Sequence, residues 1–293
     1  MPEPVILVTG ANGQLGTAIR SLSSSYQQFQ FVFLAKDDLP INQADLVEEY
    51  FKKTSPAFCI NCAAYTAVDK AETEKELAMQ INGEAVGTLA GVCKAFNTKF
   101  IHISTDYVFD GTATVPYKED SATNPANYYG ATKLKGEMLC FERNSESMVI
   151  RTSWVYSEYG NNFVKTMMRL MKERSSINVV NDQLGSPTYA IDLANMLLGI
   201  IAATESGKTT WTPGVYHYSN DGIISWYDFA VAIKELTQSN CDVQPVPTSM
   251  YPTPAKRPAW SVMDKEKIKS VYHVSIPAWK QSLAVCISHL QKN

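Results

Sequence analysis

The chain has 293 residues, enough for one large domain or two modest ones. An apolar content of 45% and a charged content of 19% place it among ordinary globular proteins. A net charge of -3 offers no basic field for nucleic acid, and no apolar run approaches the length of a membrane span.

The N-terminus lacks the basic-then-apolar pattern of a signal peptide: Val5-Ile6-Leu7-Val8 is a short strand soon broken by glycine. Residues 4–9 read as a fully buried strand. They run into Thr9-Gly10-Ala11-Asn12-Gly13-Gln14-Leu15-Gly16, and a helical pattern follows through Leu22. Glycines at 10, 13 and 16 lie between strand and helix, where backbone N–H groups can approach a pyrophosphate at the helix N-terminus. The spacing differs by one residue from G-x-G-x-x-G. A merely flexible turn is the weaker reading, because the loop opens an alternating α/β pattern.

Residues 29–35 form the second strand. Lys36-Asp37-Asp38 follow, about where an acidic residue holds an adenosine ribose; Lys36 suits a 2′-phosphate instead, and a solvated loop is equally open. Residues 45–53 are helical. Residues 57–62 are the third strand, continuing into small residues up to Asp69 that let the backbone approach a flat ligand. Cys59 and Cys62 form C-x-x-C on a strand, with no second pair to complete a zinc site. The six cysteines (59, 62, 93, 140, 241 and 286) are expected to be inert core thiols in a reducing cytoplasm. Residues 77–96 carry one long helical period, with Asn82 inside it as a packed or solvated polar residue.

Residues 99–105 are the fourth strand. Ser104-Thr105-Asp106 fall at its carboxyl end, where ligands bind in open α/β sheets. Tyr129 and Lys133 then stand four apart, so on a helix both rise from one face. An ammonium group beside a phenol favours the phenolate and eases proton transfer to an oxyanion, and the Thr105 hydroxyl can hold the same oxygen. Alone, Tyr-x-x-x-Lys is more often a packed Tyr and a solvated Lys; its place after a strand-end hydroxyl changes the balance. Residues 148–155 are the next strand, ending in Ser153-Trp154-Val155-Tyr156.

Beyond this the alternation loosens. Residues 163–173 are helical, with Met167, Met168 and Met171 toward the core. Residues 178–181 are strand-like and lead into the polar loop Asp182-Gln183-Leu184-Gly185-Ser186-Pro187-Thr188. Residues 191–203 are an apolar helix, 215–219 a strand, and 225–236 a helix capped by Ser225. Prolines keep 245–258 from being regular throughout. Residues 263–271 and 279–290 are closing helices. The expected fold is α/β, a Rossmann-like doubly wound parallel sheet. Residues 1–155 are its dinucleotide-binding domain, with later segments free to return to it, and 156–293 are mainly a substrate-binding α/β region.

The order of glycine loop, Asn61-Cys62-Ala63-Ala64, Ser104-Thr105-Asp106 and Tyr129-x-x-x-Lys133 resembles the extended short-chain dehydrogenase/reductase superfamily. Within it, the blocks Ser104-Thr105-Asp106-Tyr107-Val108-Phe109-Asp110-Gly111, Tyr129-Gly130-Ala131-Thr132-Lys133-Leu134-Lys135-Gly136-Glu137 and Arg151-Thr152-Ser153-Trp154-Val155-Tyr156 look like the dTDP-4-dehydrorhamnose reductase family. The 182–188 loop and Arg257-Pro258-Ala259-Trp260-Ser261 do as well.

The resemblance implies reduction of a C4 ketone on a dTDP-sugar by NADPH, with NADH as the second option. It implies Tyr129 as proton donor, Lys133 as its partner and ribose anchor, and Thr105 as the hydroxyl orienting the ketone. It places Gly10, Asn12, Gly13, Gln14, Leu15, Gly16, Ala63, Ala64 and Thr66 at the cofactor, together with Tyr129 and Lys133. Val68, Tyr107, Trp154, Asn162, Gln183 and Arg257 fall at the sugar nucleotide, Arg257 suiting a diphosphate. The implied setting is a cytoplasmic monomer or homodimer with no membrane or nucleic-acid partner. Leu39-Pro40-Ile41 puts proline where relatives often carry Asp, and Ala18 stands where some carry a metal-holding glutamate, so no metal is expected. Two other readings are a non-catalytic regulatory subunit of the methionine adenosyltransferase partner type and a sugar-nucleotide epimerase or dehydratase. Intact Thr105, Tyr129 and Lys133 argue against the first, and Tyr107 after Asp106 against a dehydratase.

Overall fold

The computed structural model describes residues 3–292. Its first half alternates β1 (Val5–Thr9), α1 (Gln14–Leu22), β2 (Gln30–Leu34), α2 (Ala44–Thr54), β3 (Phe58–Asn61), α3 (Lys75–Met79), α4 (Ala85–Ala95), β4 (Lys99–Thr105), α5 (Tyr128–Arg143) and β5 (Met148–Thr152). The second half adds β6 (Val155–Tyr156), α6 (Phe163–Glu173), β7 (Ser176–Val180), β8 (Leu184–Gly185), β9 (Thr188–Tyr189) and α7 (Ala190–Glu205). It closes with β10 (Gly214–His217), β11 (Ile224–Ser225), α8 (Trp226–Thr237), β12 (Asp242–Val246), α9 (Glu266–Tyr272) and α10 (Trp279–Lys292).

Six strands form one parallel sheet in the order β10-β5-β4-β3-β1-β2. Both faces are covered, which is why these strands read as continuous apolar runs. Side chains alternate across the sheet. Ile6, Val8, Phe58, Ile60, Ile101 and Ile150 pack under α1 and α7. Leu7, Cys59, Phe100 and Val149 pack under α2, α4 and α5. This is the doubly wound, Rossmann-like fold expected, and the strand order reverses direction between β1 and β3. Two later segments join it: β10 extends the sheet beside β5, and α7 covers the β1 face.

A second core gathers residues of α6, β7, α8, β12 and α10, among them Val164, Ile177, Phe229, Val243 and Leu283. Local chemistry sets these helices. Asn162 caps α6 by accepting from Lys165 N at 3.1 Å. Ser225 and Asp228 form a reciprocal capping box at the start of α8. β12 carries Pro245, which is tolerated because β12 pairs on one side only, with β7. All six cysteines are free. Among the described residues no helix is long and apolar enough to cross a membrane.

Two expected elements differ. The 77–96 helix is broken by a π-helical turn, Gln80–Glu84, between α3 and α4. The extra residue per turn swings Asn82 into the interior, where it is fully buried. The 148–155 strand stops at Thr152. Trp154 takes φ 48°, a left-handed conformation that no strand continues through, and β6 then pairs with β9 instead.

Candidate active site

The loop after β1 meets the loop after β3 where the strand order reverses. Gly10 has φ +65°, and a Cβ there would lie 2.5 Å from Ala63 N, so only glycine permits this crossing. α1 then begins at Gln14, with Gly13 as an N-cap that has no side-chain hydrogen bond. The first N–H groups of α1 therefore have no side-chain cap and can serve an anion.

The carboxyl end of β4 supplies the next wall. Thr105 Oγ1 donates to Asp106 Oδ1 at 2.9 Å and accepts from Tyr107 N at 3.2 Å. Asp106 is buried, which pushes its pKa up to about 7 against the hydrogen bond from Thr105. α5 starts beside it. Asn127 caps the helix by accepting from Gly130 N at 2.8 Å, and a Cβ on Gly130 would meet Tyr107 O at 2.1 Å. That contact seats α5 against the β4 loop and brings the Tyr129 and Tyr107 rings edge to face, with centroids 5.8 Å apart.

Tyr129 and Lys133 rise from one face of α5, as expected. Their electrostatics differ from the simple pairing of phenol and ammonium. Burial holds the Tyr129 phenol above the usual tyrosine range, the Asp106 charge adds to this, and hydrogen bonding by Thr105 opposes it. Lys133 is buried, and its Nζ donates to Ile103 O at 2.7 Å. Burial pushes Lys133 down to about 8, with Glu137 opposing. The amine is thus turned to the strand, toward Ile103 O and His102 Nε2.

These groups line one cavity of about 910 Å³. Every residue expected at the cofactor lies on its wall: Gly10, Asn12, Gly13, Gln14, Leu15, Gly16, Ala63, Ala64, Thr66, Tyr129 and Lys133. Thr105 does too, and of the residues expected at the substrate so do Val68, Tyr107 and Trp154. The other three are not on the wall. Asn162 stands behind it and donates to Gln14 Oε1 at 2.9 Å. Gln183 donates to Thr248 Oγ1 at 3.0 Å, and Arg257 pairs with Asp69 Oδ2 at 2.8 Å.

The cavity also contains residues the sequence did not single out. Trp226 stacks on Trp154, with centroids 3.6 Å apart. A tryptophan next to a helix cap reads simply as core, so nothing local marked it. Asp106 stood inside a quoted motif without a role of its own; its place at a strand end was the available signal.

The family model described as the RmlD substrate binding domain matches residues 4–292. A dTDP-4-dehydrorhamnose reductase of Burkholderia thailandensis is 41% identical, over 97% of this chain and 98% of that protein. A solved dTDP-4-dehydrorhamnose reductase of Clostridium acetobutylicum superposes with TM-score 0.92 at 40% identity, covering 98% of this chain and 99% of the other. One from Bacillus anthracis, solved in complex with NADP, gives TM-score 0.93 at 36% identity, with 98% and 100% covered.

Proposed function

The chain belongs to the family described as the RmlD substrate binding domain, and on that premise we propose that it reduces the C4 ketone of dTDP-4-dehydro-L-rhamnose to dTDP-L-rhamnose with NADPH. One observation carries the reading: Thr105, Tyr129 and Lys133 share a single cavity with the glycine loop. The reductase relatives and the NADP complex among them support it.

The residues present fit a nicotinamide dinucleotide. The start of α1 has no side-chain cap, and a Cβ added to Gly13 would meet only Gly10 O, at 3.2 Å, so the space before the helix is left to a ligand. Lys36 lines the same cavity and suits a 2′-phosphate. When bound, the cofactor supplies hydride to the ketone carbon. Tyr129 delivers the proton that the resulting alkoxide requires, and Thr105 holds the oxygen in line with it. Lys133 anchors the ribose and returns a proton to the site. Val68, Tyr107 and Trp154 flank the sugar nucleotide. Asn162 acts through Gln14, while Arg257 meets the diphosphate by exchanging Asp69 for phosphate, with Gln183 at the same end.

Residues up to about 155, with β10 and α7 added, carry the cofactor in this reading, and the remainder covers the substrate. A cytoplasmic setting accords with six unpaired thiols. The test is NADPH oxidation across several dTDP-4-keto sugars with product identification. Consumption with dTDP-4-dehydro-L-rhamnose and appearance of dTDP-L-rhamnose is expected. No consumption with any keto sugar sinks the proposal.

A further inference from the structure

Behind Lys133 lies a chain of buried polar groups that the reaction as described does not use. Thr9 Oγ1 donates to Asn61 Oδ1 at 2.6 Å, and Ala63 N donates to the same oxygen at 3.2 Å. A backbone N–H can only donate, so Oδ1 of Asn61 is fixed as the acceptor and Nδ2 as the donor. Nδ2 faces Nδ1 of His102 at 3.1 Å. His102 is fully buried, and burial together with Lys133 holds its pKa well below the usual range, so the ring is neutral. With Nδ1 accepting, the ring proton sits on Nε2. Nε2 lies 3.3 Å from Lys133 Nζ.

A donor therefore faces the lysine. An amine can accept from Nε2–H, whereas an ammonium has no lone pair and meets it proton to proton. We propose that His102 is a positioning residue for the reduction: held by Asn61 with its proton on Nε2, it sets how tightly Lys133 holds a proton. The idea rests on the place given to Lys133 under Proposed function. Other groups face Lys133 as well. Glu137 lies one turn on along α5, ion-paired with Arg151 of β5 at 2.7 Å, and strengthens its hold on the proton; Cys62 after β3 is kept a neutral thiol by burial; Tyr129 lies one turn before Lys133. The Phe100 ring stacks on His102 and carries no charge. Of these neighbours, His102 is the one whose ring nitrogen is set against Lys133 Nζ, at 3.3 Å.

Histidine ¹⁵N spectra of the wild-type protein test the first half, with no variant needed. The neutral Nε2–H tautomer should persist across the neutral range, and an Nδ1–H ring or an imidazolium there overturns the proposal. The second half is read from the ¹³Cε resonance of Lys133, assigned by its loss in Lys133→Met. In His102→Leu its titration midpoint should rise by roughly one pH unit, a tenfold tighter hold on the proton and what one ordinary hydrogen bond is worth. His102→Gln, which can place an N–H at the same point, should recover most of the shift. A midpoint that stays or falls in His102→Leu means burial alone controls Lys133, and the proposal fails. The alkaline limb of turnover should move with the resonance. The resonance reads Lys133 without turnover, so a silent assay would count against the reductase reading and not against His102.

Discussion

Asn82 holds both backbone polar groups of Tyr65. Its Oδ1 accepts from Tyr65 N at 2.8 Å and its Nδ2 donates to Tyr65 O at 2.9 Å. The same Nδ2 donates to Thr132 Oγ1 on α5 at 3.1 Å. One side chain thus ties the cavity-lining loop of Ala63, Ala64 and Thr66 to the helix that carries Tyr129. Asn82→Leu should leave the two Tyr65 groups without these partners and cost about 2 kcal/mol in urea unfolding. NADPH affinity should fall with it. An unchanged unfolding midpoint would mean water replaces the amide without loss.

Tyr129→Phe keeps the ring against Tyr107 and removes the proton. A positioned general acid contributes about 10²–10⁴-fold, so turnover should drop by that order while cofactor affinity barely changes. Lys133→Met should cost more, since it disturbs both proton return and the ribose contact. Thr105→Val should cost less, because it deletes one hydrogen bond and no proton donor. Steady-state NADPH oxidation beside a cofactor titration decides it. Near-wild-type turnover in Tyr129→Phe would remove the phenol from the mechanism.

Much of this was legible in the sequence, for identifiable reasons. Strands buried on both faces appear as apolar runs, and the glycine loop and Tyr-x-x-x-Lys motif are short enough to keep their spacing. The π-turn was not legible, because apolar residues repeat almost in phase through Gln80–Glu84. The turn at Trp154 was hidden because Trp154-Val155-Tyr156 keep a strand-like composition after Ser153, and nothing there announces a positive φ. For Asn162, Gln183 and Arg257 the residue type says that a polar partner is needed but not which one. Here the partners come from 148, 65 and 188 residues away, namely Gln14, Thr248 and Asp69.

The glycines of the first loop should separate by phenotype. A Cβ at Gly10 would press into the β3 loop backbone, so Gly10→Ala should destabilise the fold itself. A branched side chain at Gly13, which is exposed, projects where the pyrophosphate would lie. Gly13→Val should unfold normally yet lose NADPH in calorimetry. Full NADPH affinity in that folded variant would move the cofactor away from this loop.

Asp106 predicts a pH dependence of stability. Its pKa is raised from 3.8 to about 7, so the native state keeps a proton that the unfolded chain has released. That contribution is complete below the unfolded value and is lost as pH rises through the folded one. Asp106→Asn should therefore flatten the fall in stability between these two values. The gain above pH 7 has an upper bound of roughly 4 kcal/mol. Urea midpoints on either side of the window measure it, and parallel slopes in wild type and variant would contradict it. Turnover should suffer in the same variant, since Asp106 accepts from the Thr105 hydroxyl.

Arg257→Ala should weaken binding of the dTDP-sugar and leave NADPH affinity nearly intact. The lost pairing with Asp69 is partly exposed, so its removal should change stability by less than about 1 kcal/mol. Equal loss of both affinities would make Arg257 a support of the fold.

The place of β10 beside β5 has a consequence for how the protein is made. β5 ends at Thr152 and its outer partner starts at Gly214, so the emerging chain carries β5 as an open edge until the intervening residues have left the ribosome. Met148, Val149 and Ile150 make that edge apolar, a template for pairing with another chain. Truncations near residue 155 should therefore aggregate, and stalled synthesis in this interval should create a client for chaperones.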